Sequence, residues 1–366
     1  GSGQGANLML MIVNAGSSSL KLVFYRGADP VHRETVEEIG TDGHAAALDR
    51  ALMRSGIAAT ALRGAAHRVV HGGPRLTATS RITPAVLDEI TAAVPLAPLH
   101  NPAALVGIQS VARLLPDLPQ YAVFDTAFHA TNPTVATTYA LPLEDRERGI
   151  RRYGFHGISY AALVRILGAR GPLPQRLLAC HLGNGASLAA IVNGRSVATT
   201  MGYSPLDGLT MGTRAGSIDG NAVLRLVELH GLERATQILN RVSGLVALGG
   251  SSDLRALHAW NRPEARFALQ HFAYWAVRHA GSMVAAMGGL DAVVFTGGIG
   301  ENDPWMRKEI LTGLGYLGVV PDLEANRRHA SDLHDPTSRV AIWIVPADEE
   351  RQIALEAQGL MAGEGV

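Results

Sequence analysis

The sequence predicts an α/β protein of two like domains that face each other across a cleft. Three observations carry this. Short apolar runs of strand length alternate with helix-like segments along the whole chain. A strand, a small-residue loop and a returning strand occur twice: Gly16-Ser17-Ser18-Ser19-Leu20-Lys21-Leu22-Val23 lines up with Gly185-Ala186-Ser187-Leu188-Ala189-Ala190-Ile191-Val192, allowing one gap. The length, 366 residues, suits two domains or one large one.

The elements follow in order. Gly1–Leu8, beginning Gly-Ser-Gly-Gln-Gly-Ala, reads as an appended remnant and is set aside. Leu8–Val13 and Leu20–Tyr25 are apolar runs joined by the small-residue loop, which makes a hairpin. His44–Arg54 reads as a helix and Ala65–Val70 as a strand ending at His71-Gly72-Gly73-Pro74. Thr83-Pro84 opens a helix with a cap and a first-turn proline, and Asn101-Pro102 opens another that runs to Leu115. Gln120–Phe124 is a strand ending in Asp125-Thr126-Ala127-Phe128-His129. The second half repeats this grammar. Arg176–His181 and Leu188–Val192 are strands, the latter closed by the hairpin turn Asn193-Gly194. Helices are expected over Asn221–His230, Glu233–Arg241 and Pro263–Met287. Asp291–Thr296 and Val340–Val345 are strands, and a helix begins near Asp348.

Composition removes several functions. Lys and Arg number 32 against 32 Asp and Glu, so no excess charge recommends nucleic acid or an anionic membrane as partner. No apolar run approaches the ~20 residues of a membrane helix. The single cysteine, Cys180, rules out an intramolecular disulfide and a cysteine-rich zinc site. A cytoplasmic protein is the expectation.

The chemistry gathers at glycine. Three small-residue loops follow apolar strands: Gly16–Ser19, Gly183–Ser187 and Gly297–Gly300. Without a Cβ, backbone N–H groups can close on an anion. No loop matches the Walker or the Rossmann spacing. Arg68 and Arg214 lie among small or apolar residues with no carboxylate adjacent in sequence, which suggests an anionic partner, an internal ion pair being the alternative. Asp125 follows a strand, where open α/β sheets hold their sites. Asn14 and Glu349 each follow strands that could be neighbours and suit a hydrated Mg²⁺. His156, between Gly154 and Gly157, is expected to be exposed and functional. His67 and His71 read as structural or substrate-lining, and Cys180 as core.

The chain resembles the acetate kinases. The similarity rests on Val13–Lys21, His67–Gly73, Pro98–Pro102, Val123–His129, Tyr153–Gly157, His181–Gly185, Met211–Asp219 and Phe295–Asn302, an ordered set spanning nearly the whole sequence. The family belongs with the sugar kinases, heat-shock ATPases and actin. The resemblance implies two duplicated ribonuclease-H-like, actin-like ATPase domains with the active site in the cleft between them: residues 9–130 with 347–366, and a nucleotide-binding and dimerisation domain over 131–346. It implies direct in-line transfer of the ATP γ-phosphoryl group to acetate, reversibly, with Mg²⁺ or Mn²⁺, in a homodimer. By the same resemblance Asn14 and Glu349 attend the metal, and Ser17, Ser19 and Lys21 form the first phosphate loop. His181, Leu182, Gly183, Asn184 and Gly185 form the second. Asp253, Leu254 and Arg255, with Gly297, Gly298, Ile299, Gly300, Glu301 and Asn302, make the nucleoside pocket. Val70, Leu99 and Pro205, with Arg68, receive the acetate, and Arg68, Asp125, His156 and Arg214 are catalytic.

Three departures stand out. The stretch from Lys21 to His67 is short for the family, Leu254 stands where Phe is usual, and Asp348 stands where Asn is usual. A propionate or butyrate kinase is the nearest alternative. A non-catalytic actin-like nucleotide sensor is the reading from another class.

Overall fold

The computed structural model describes residues 8–39 and 43–364. The reading of Gly1–Leu8 as a remnant lies outside them, apart from Leu8. The chain divides into two compact units. One gathers the chain up to Ala130, Gly157–Ala162 and the segment from Asp348; the other holds Thr131–His156 and Leu163–Ala347.

The first unit is a six-stranded sheet. Its strands are β1 (Met9–Ala15), β2 (Leu20–Arg26), β3 (Asp29–Val36), β4 (Leu62–Val69), β5 (Ser80–Arg81) and β6 (Gln120–Phe124), in the order β3-β2-β1-β4-β6-β5. β1, β2 and β3 form an antiparallel meander, β4 and β6 run parallel to β1, and β5 closes the edge. β1 is apolar from Met9 to Val13 because both faces are covered there. Met9, Met11 and Val13 pack towards the helix Gly43–Ser55, through its Ala47, Leu48 and Ala51. Leu10 and Ile12 turn the other way, onto Ile353, Ala354 and Ala357 of the helix Glu349–Glu364.

The second unit repeats the plan with β7 (Arg176–Leu182), β8 (Ala186–Val192), β9 (Arg195–Thr199), β10 (Ala292–Thr296) and β11 (Ala341–Ile344), in the order β11-β10-β7-β8-β9. β7, β8 and β9 are an antiparallel meander, and β10 and β11 run parallel to β7. Strand for strand this is the topology of β1, β2, β3, β4 and β6. Each unit therefore has the ribonuclease-H-like arrangement, and the fold is a duplication. Asn193 (φ 49°) and Gly194 (φ 78°) make the left-handed turn of the β8–β9 hairpin. The helix Pro263–Met287 lies on β8 and β9, burying Ala265, Ala268, Phe272, Ala276 and Ala280. Phe267 and Tyr274 point away and are exposed.

The structure corrects three expectations. β3 was not anticipated: Asp29-Pro30 and the polar run His32-Arg33-Glu34-Thr35 lack an apolar stripe, because this edge strand is largely solvated. The glycines Gly297–Gly300 are not a loop but open the short helix Gly297–Asn302. The strands before Asn14 and Glu349 are not neighbours. Asn14 lies within β1, whereas the strand preceding Glu349 is β11, in the other sheet. Among the described residues no helix is long and apolar enough to cross a membrane.

Candidate active site

In the first unit, register brings chemistry to one end of the sheet. Val13 pairs with His67, and Arg68 pairs with Val123. Asn14 therefore lies level with Arg68, and Asp125 follows the end of β6. Arg68 donates from Nε and Nη2 to Asp125 Oδ2, at 3.0 and 2.9 Å. Asp125 is buried and Arg68 half-buried. The carboxylate, and more distantly Glu349, hold the guanidinium well above its ordinary pKa. Arg68 thus has the internal ion pair, from a residue 57 positions away that sequence adjacency does not reveal. Buried Asn101 steadies the neighbouring loop: its Oδ1 accepts from the His71 amide at 3.1 Å and its Nδ2 donates to the His71 carbonyl at 2.9 Å. His71 Nδ1 accepts from Gly73 N at 2.8 Å. Val70 is half-buried beyond β4, and Leu99 is 43% exposed just before the helix Asn101–Leu114.

The β1–β2 loop is a tight bend in which Gly16 N donates to Ser19 O at 2.8 Å. Ser17 and Lys21 are exposed and Ser19 half-buried. His44 Nε2 lies 2.7 Å from the Gly16 carbonyl, a brace no sequence motif announced.

The second unit holds the other set. Gly183 N donates to Gly185 O at 3.0 Å, closing the β7–β8 turn. Leu182 is wholly buried, so any contact it makes with a nucleotide is through its backbone. His181 faces Ser187 across the ladder. His156 lies against both: its ring stacks on His181 with centroids 4.0 Å apart, and its Nδ1 is 2.8 Å from Ser187 Oγ. His156 is half-buried rather than exposed, and its φ of 57° puts a non-glycine residue in the left-handed region. A side chain held there is one its surroundings over-determine. Gly185 is closely approached by two of these side chains. A Cβ there would come 3.4 Å from both His156 Nε2 and Arg214 Nη1.

Arg214 donates from Nη1 to the carbonyl of half-buried Pro205 at 3.1 Å. It has no carboxylate partner among the described residues, and burial pulls its pKa below the ordinary value. A half-buried cation beside a glycine turn has the chemistry to attract an anion.

Beside this turn is a cavity of about 610 Å³ lined by Asp253, Leu254, Arg255, Gly298, Ile299 and Asn302, all expected for the nucleoside, together with Gly183 and Asn184 of the expected second phosphate loop. Ser252, His258, Asp303, Pro304 and Trp305 complete the lining and were not anticipated. Gly297 and Gly300 are instead buried in the helix–strand packing, and Gly297 lies against the Leu182 carbonyl. Glu301 accepts from the Ala347 amide, and burial raises its pKa. Asp253 caps the helix Leu254–Ala259 and pairs with Arg255 at 2.9 Å, which holds the Asp253 carboxyl below its usual range. That pair is exposed and adds little to stability.

The acetokinase family matches residues 53–355. The chain belongs to that family. It is 42% identical to the acetate kinase of Micrococcus luteus, over 95% of this chain and 98% of the relative. It is 44% identical to that of Caldanaerobacter subterraneus subsp. tengcongensis, over 81% and 77%. Two solved structures superpose with a TM-score of 0.88. One is the acetate kinase of Porphyromonas gingivalis, 34% identical, covering 97% of this chain and 100% of that one. The other is a propionate kinase from Francisella tularensis, 32% identical, covering 95% and 98%. Acetokinase membership makes the chain a kinase that transfers phosphate to a carboxylate.

Proposed function

We propose that the chain is an acetate kinase, converting ATP and acetate to ADP and acetyl phosphate, reversibly and by direct in-line transfer. The observation that supports the reading is the gathering of Arg214 Nη1 and His156 Nε2 at the β7–β8 glycine turn, where each would stand 3.4 Å from a Cβ placed on Gly185. Acetate is ionised at neutral pH, so no strong base is needed to make the nucleophile. The task is to bring two anions together and spread the charge of the phosphoryl group in flight. A carboxylate oxygen forms the new P–O bond as the bond to the β–γ bridging oxygen breaks, and that electron pair leaves with ADP.

Arg68 holds the acetate carboxylate, and Asp125 keeps its guanidinium charged and oriented. Arg214 and His156 Nε2 donate to the equatorial oxygens. The β1–β2 and β7–β8 turns, with Ser17, Ser19 and Lys21 on one and Asn184 and Gly185 on the other, hold phosphate oxygens, and the 610 Å³ cavity takes the nucleoside. Val70, Leu99 and Pro205 meet the methyl group. Magnesium suits the oxygen donors of Asn14 and Glu349. Magnesium commonly keeps several waters and is held through one or two protein oxygens and the nucleotide phosphates. Bound there, it would neutralise phosphate charge. A cytoplasmic location is part of the same reading. So is a homodimer, which exposed Phe267 and Tyr274 support.

Trapping the acyl phosphate with hydroxylamine tests this, with Mg-ATP and acetate, propionate or butyrate in parallel. Acetate should give the most product. One methylene is worth only ~1–3 kcal/mol, so propionate should follow rather than fail. Arg214→Ala should lower turnover by ~10²–10³, as loss of an oxyanion-hole donor does. Greater turnover with propionate would make the chain a propionate kinase. No product with any acid, despite ATP binding, would overturn the reading.

A further inference from the structure

The 610 Å³ cavity contains a feature that phosphate chemistry does not explain. Its glycines, Gly183 and Gly298, adjoin: a Cβ on Gly183 would lie 3.9 Å from the Gly298 amide nitrogen. Such backbone suits phosphate. Elsewhere the lining includes the indole of Trp305, with the apolar side chains of Leu254 and Ile299.

A half-buried tryptophan on the wall of a polar-mouthed cavity offers a flat π face. Trp305 is also held still. Asp303 Oδ1 caps the helix Pro304–Gly313 by accepting from Met306 N at 2.9 Å, and Pro304 stiffens its first turn. Asp303 Oδ2 binds His258 Nε2 at 2.9 Å. The His258 ring in turn meets the Trp305 ring edge-on, centroids 5.3 Å apart at 72°. A wall fixed through His258 and the helix cap loses little freedom when a flat ligand lies on it.

We propose that Trp305, fixed by the Asp303–His258 pair, is the platform on which the base of a purine nucleotide stacks, and that it sets the enzyme's preference for purines. The inference rests on the cavity being the nucleoside site. Stacking is sequence-tolerant but grows with ring area, so a bicyclic base gains more than a monocyclic one.

Calorimetric titration of the full chain with ADP, GDP, CDP and UDP tests it, alongside the Trp305→Leu, Trp305→Phe and Asn302→Trp variants. Trp305→Leu keeps apolar bulk without the π face, Trp305→Phe keeps a smaller ring, and Asn302→Trp fills the cavity from its exposed side. Wild type should bind ADP and GDP tighter than CDP and UDP. Trp305→Leu should weaken ADP by roughly 10-fold and flatten that order, whereas Trp305→Phe should stay within about 3-fold of wild type. Asn302→Trp should block all four. If Trp305→Leu binds like wild type while Asn302→Trp blocks, the cavity is the nucleoside site but Trp305 is not its platform. If neither variant changes binding, the cavity reading itself fails. Either result overturns the proposal.

Discussion

Ser187 shows what one residue contributes through another. Its hydroxyl lies 2.8 Å from His156 Nδ1, on the ring whose Nε2 stands with Arg214 Nη1 beside Gly185. The hydrogen bond selects which ring nitrogen serves the site. Ser187→Ala should lower kcat by about 10-fold, the worth of one hydrogen bond near 1.4 kcal/mol, with the KM for ATP and acetate little changed. Ser187→Thr, which restores the hydroxyl, should recover most of the loss. A kcat unchanged in the alanine variant, or a threonine variant no better than alanine, would remove Ser187 from the mechanism. Sequence showed Ser187 only as the end of a small-residue loop. Its facing of His181 comes from β-ladder register, and its contact with His156 from a residue 31 positions away.

At the scale of elements, His67 ties β4 to β6. It is buried, and its Nε2 lies 2.6 Å from Gln120 Oε1. Burial drives its pKa from 6.5 down to about 4, the hydrogen bond to Gln120 opposing only in part. The unfolded chain takes up this proton near pH 6.5 and the folded chain only near pH 4. In that window the unfolded state binds more protons, so stability falls as pH drops, by roughly 3 kcal/mol for the full interval. In His67→Gln the Tm should fall less between pH 7 and pH 5 than in wild type. Equal slopes would show that His67 does not titrate as its burial requires. Helix ends and hairpins were legible in sequence at this scale. Thr83 caps the helix Pro84–Ala92, and Asn193-Gly194 turns β8 into β9, because caps and turns depend on the few residues that form them. The edge strand β3 was not legible, since its partners are β2 on one side and solvent on the other. Nor was the pair between its Arg33 and Glu350 at the start of the last long helix.

For the whole molecule, the duplicated topology means that each unit closes its own core. Arg307 illustrates this in the second unit. It is fully buried, yet it bonds neutral groups: Asn326 Oδ1 and the carbonyls of Gly300 and Asn326, at 2.8 to 2.9 Å. Burial lowers its pKa to about 10, which still leaves it charged at neutral pH. Several apolar side chains stay exposed, Phe267 and Tyr274 among them. Phe267 and Tyr274 stand seven residues apart on a helix whose opposite side is buried, so they share an outward stripe. As part of a homodimer interface, that stripe should be sensitive to charge. Light scattering should give a dimer for the full chain and a monomer for Phe267→Glu/Tyr274→Glu, at matched concentration. A monomeric wild type would remove the dimer, and a dimeric double variant would move the interface elsewhere.

By itself the sequence determined the repeated strand–loop–strand pattern, the glycine turns and the ordered family motifs, because each depends on residues close together in the chain. It therefore carried the fold class and the reaction. Pairings across long separations belonged to tertiary structure alone. Arg68 looked like a cation in want of an anion until β4 and β6 paired and brought Asp125 to it. Arg214 looked the same, and among the described residues folding gives it a carbonyl, that of Pro205, rather than a carboxylate. His258, Asp303 and Trp305 carried no motif that marked them, and only the packing of two helices set them on one cavity wall. Covalent order governs local geometry, but the partner of a charge is decided by which strands and helices the core brings together.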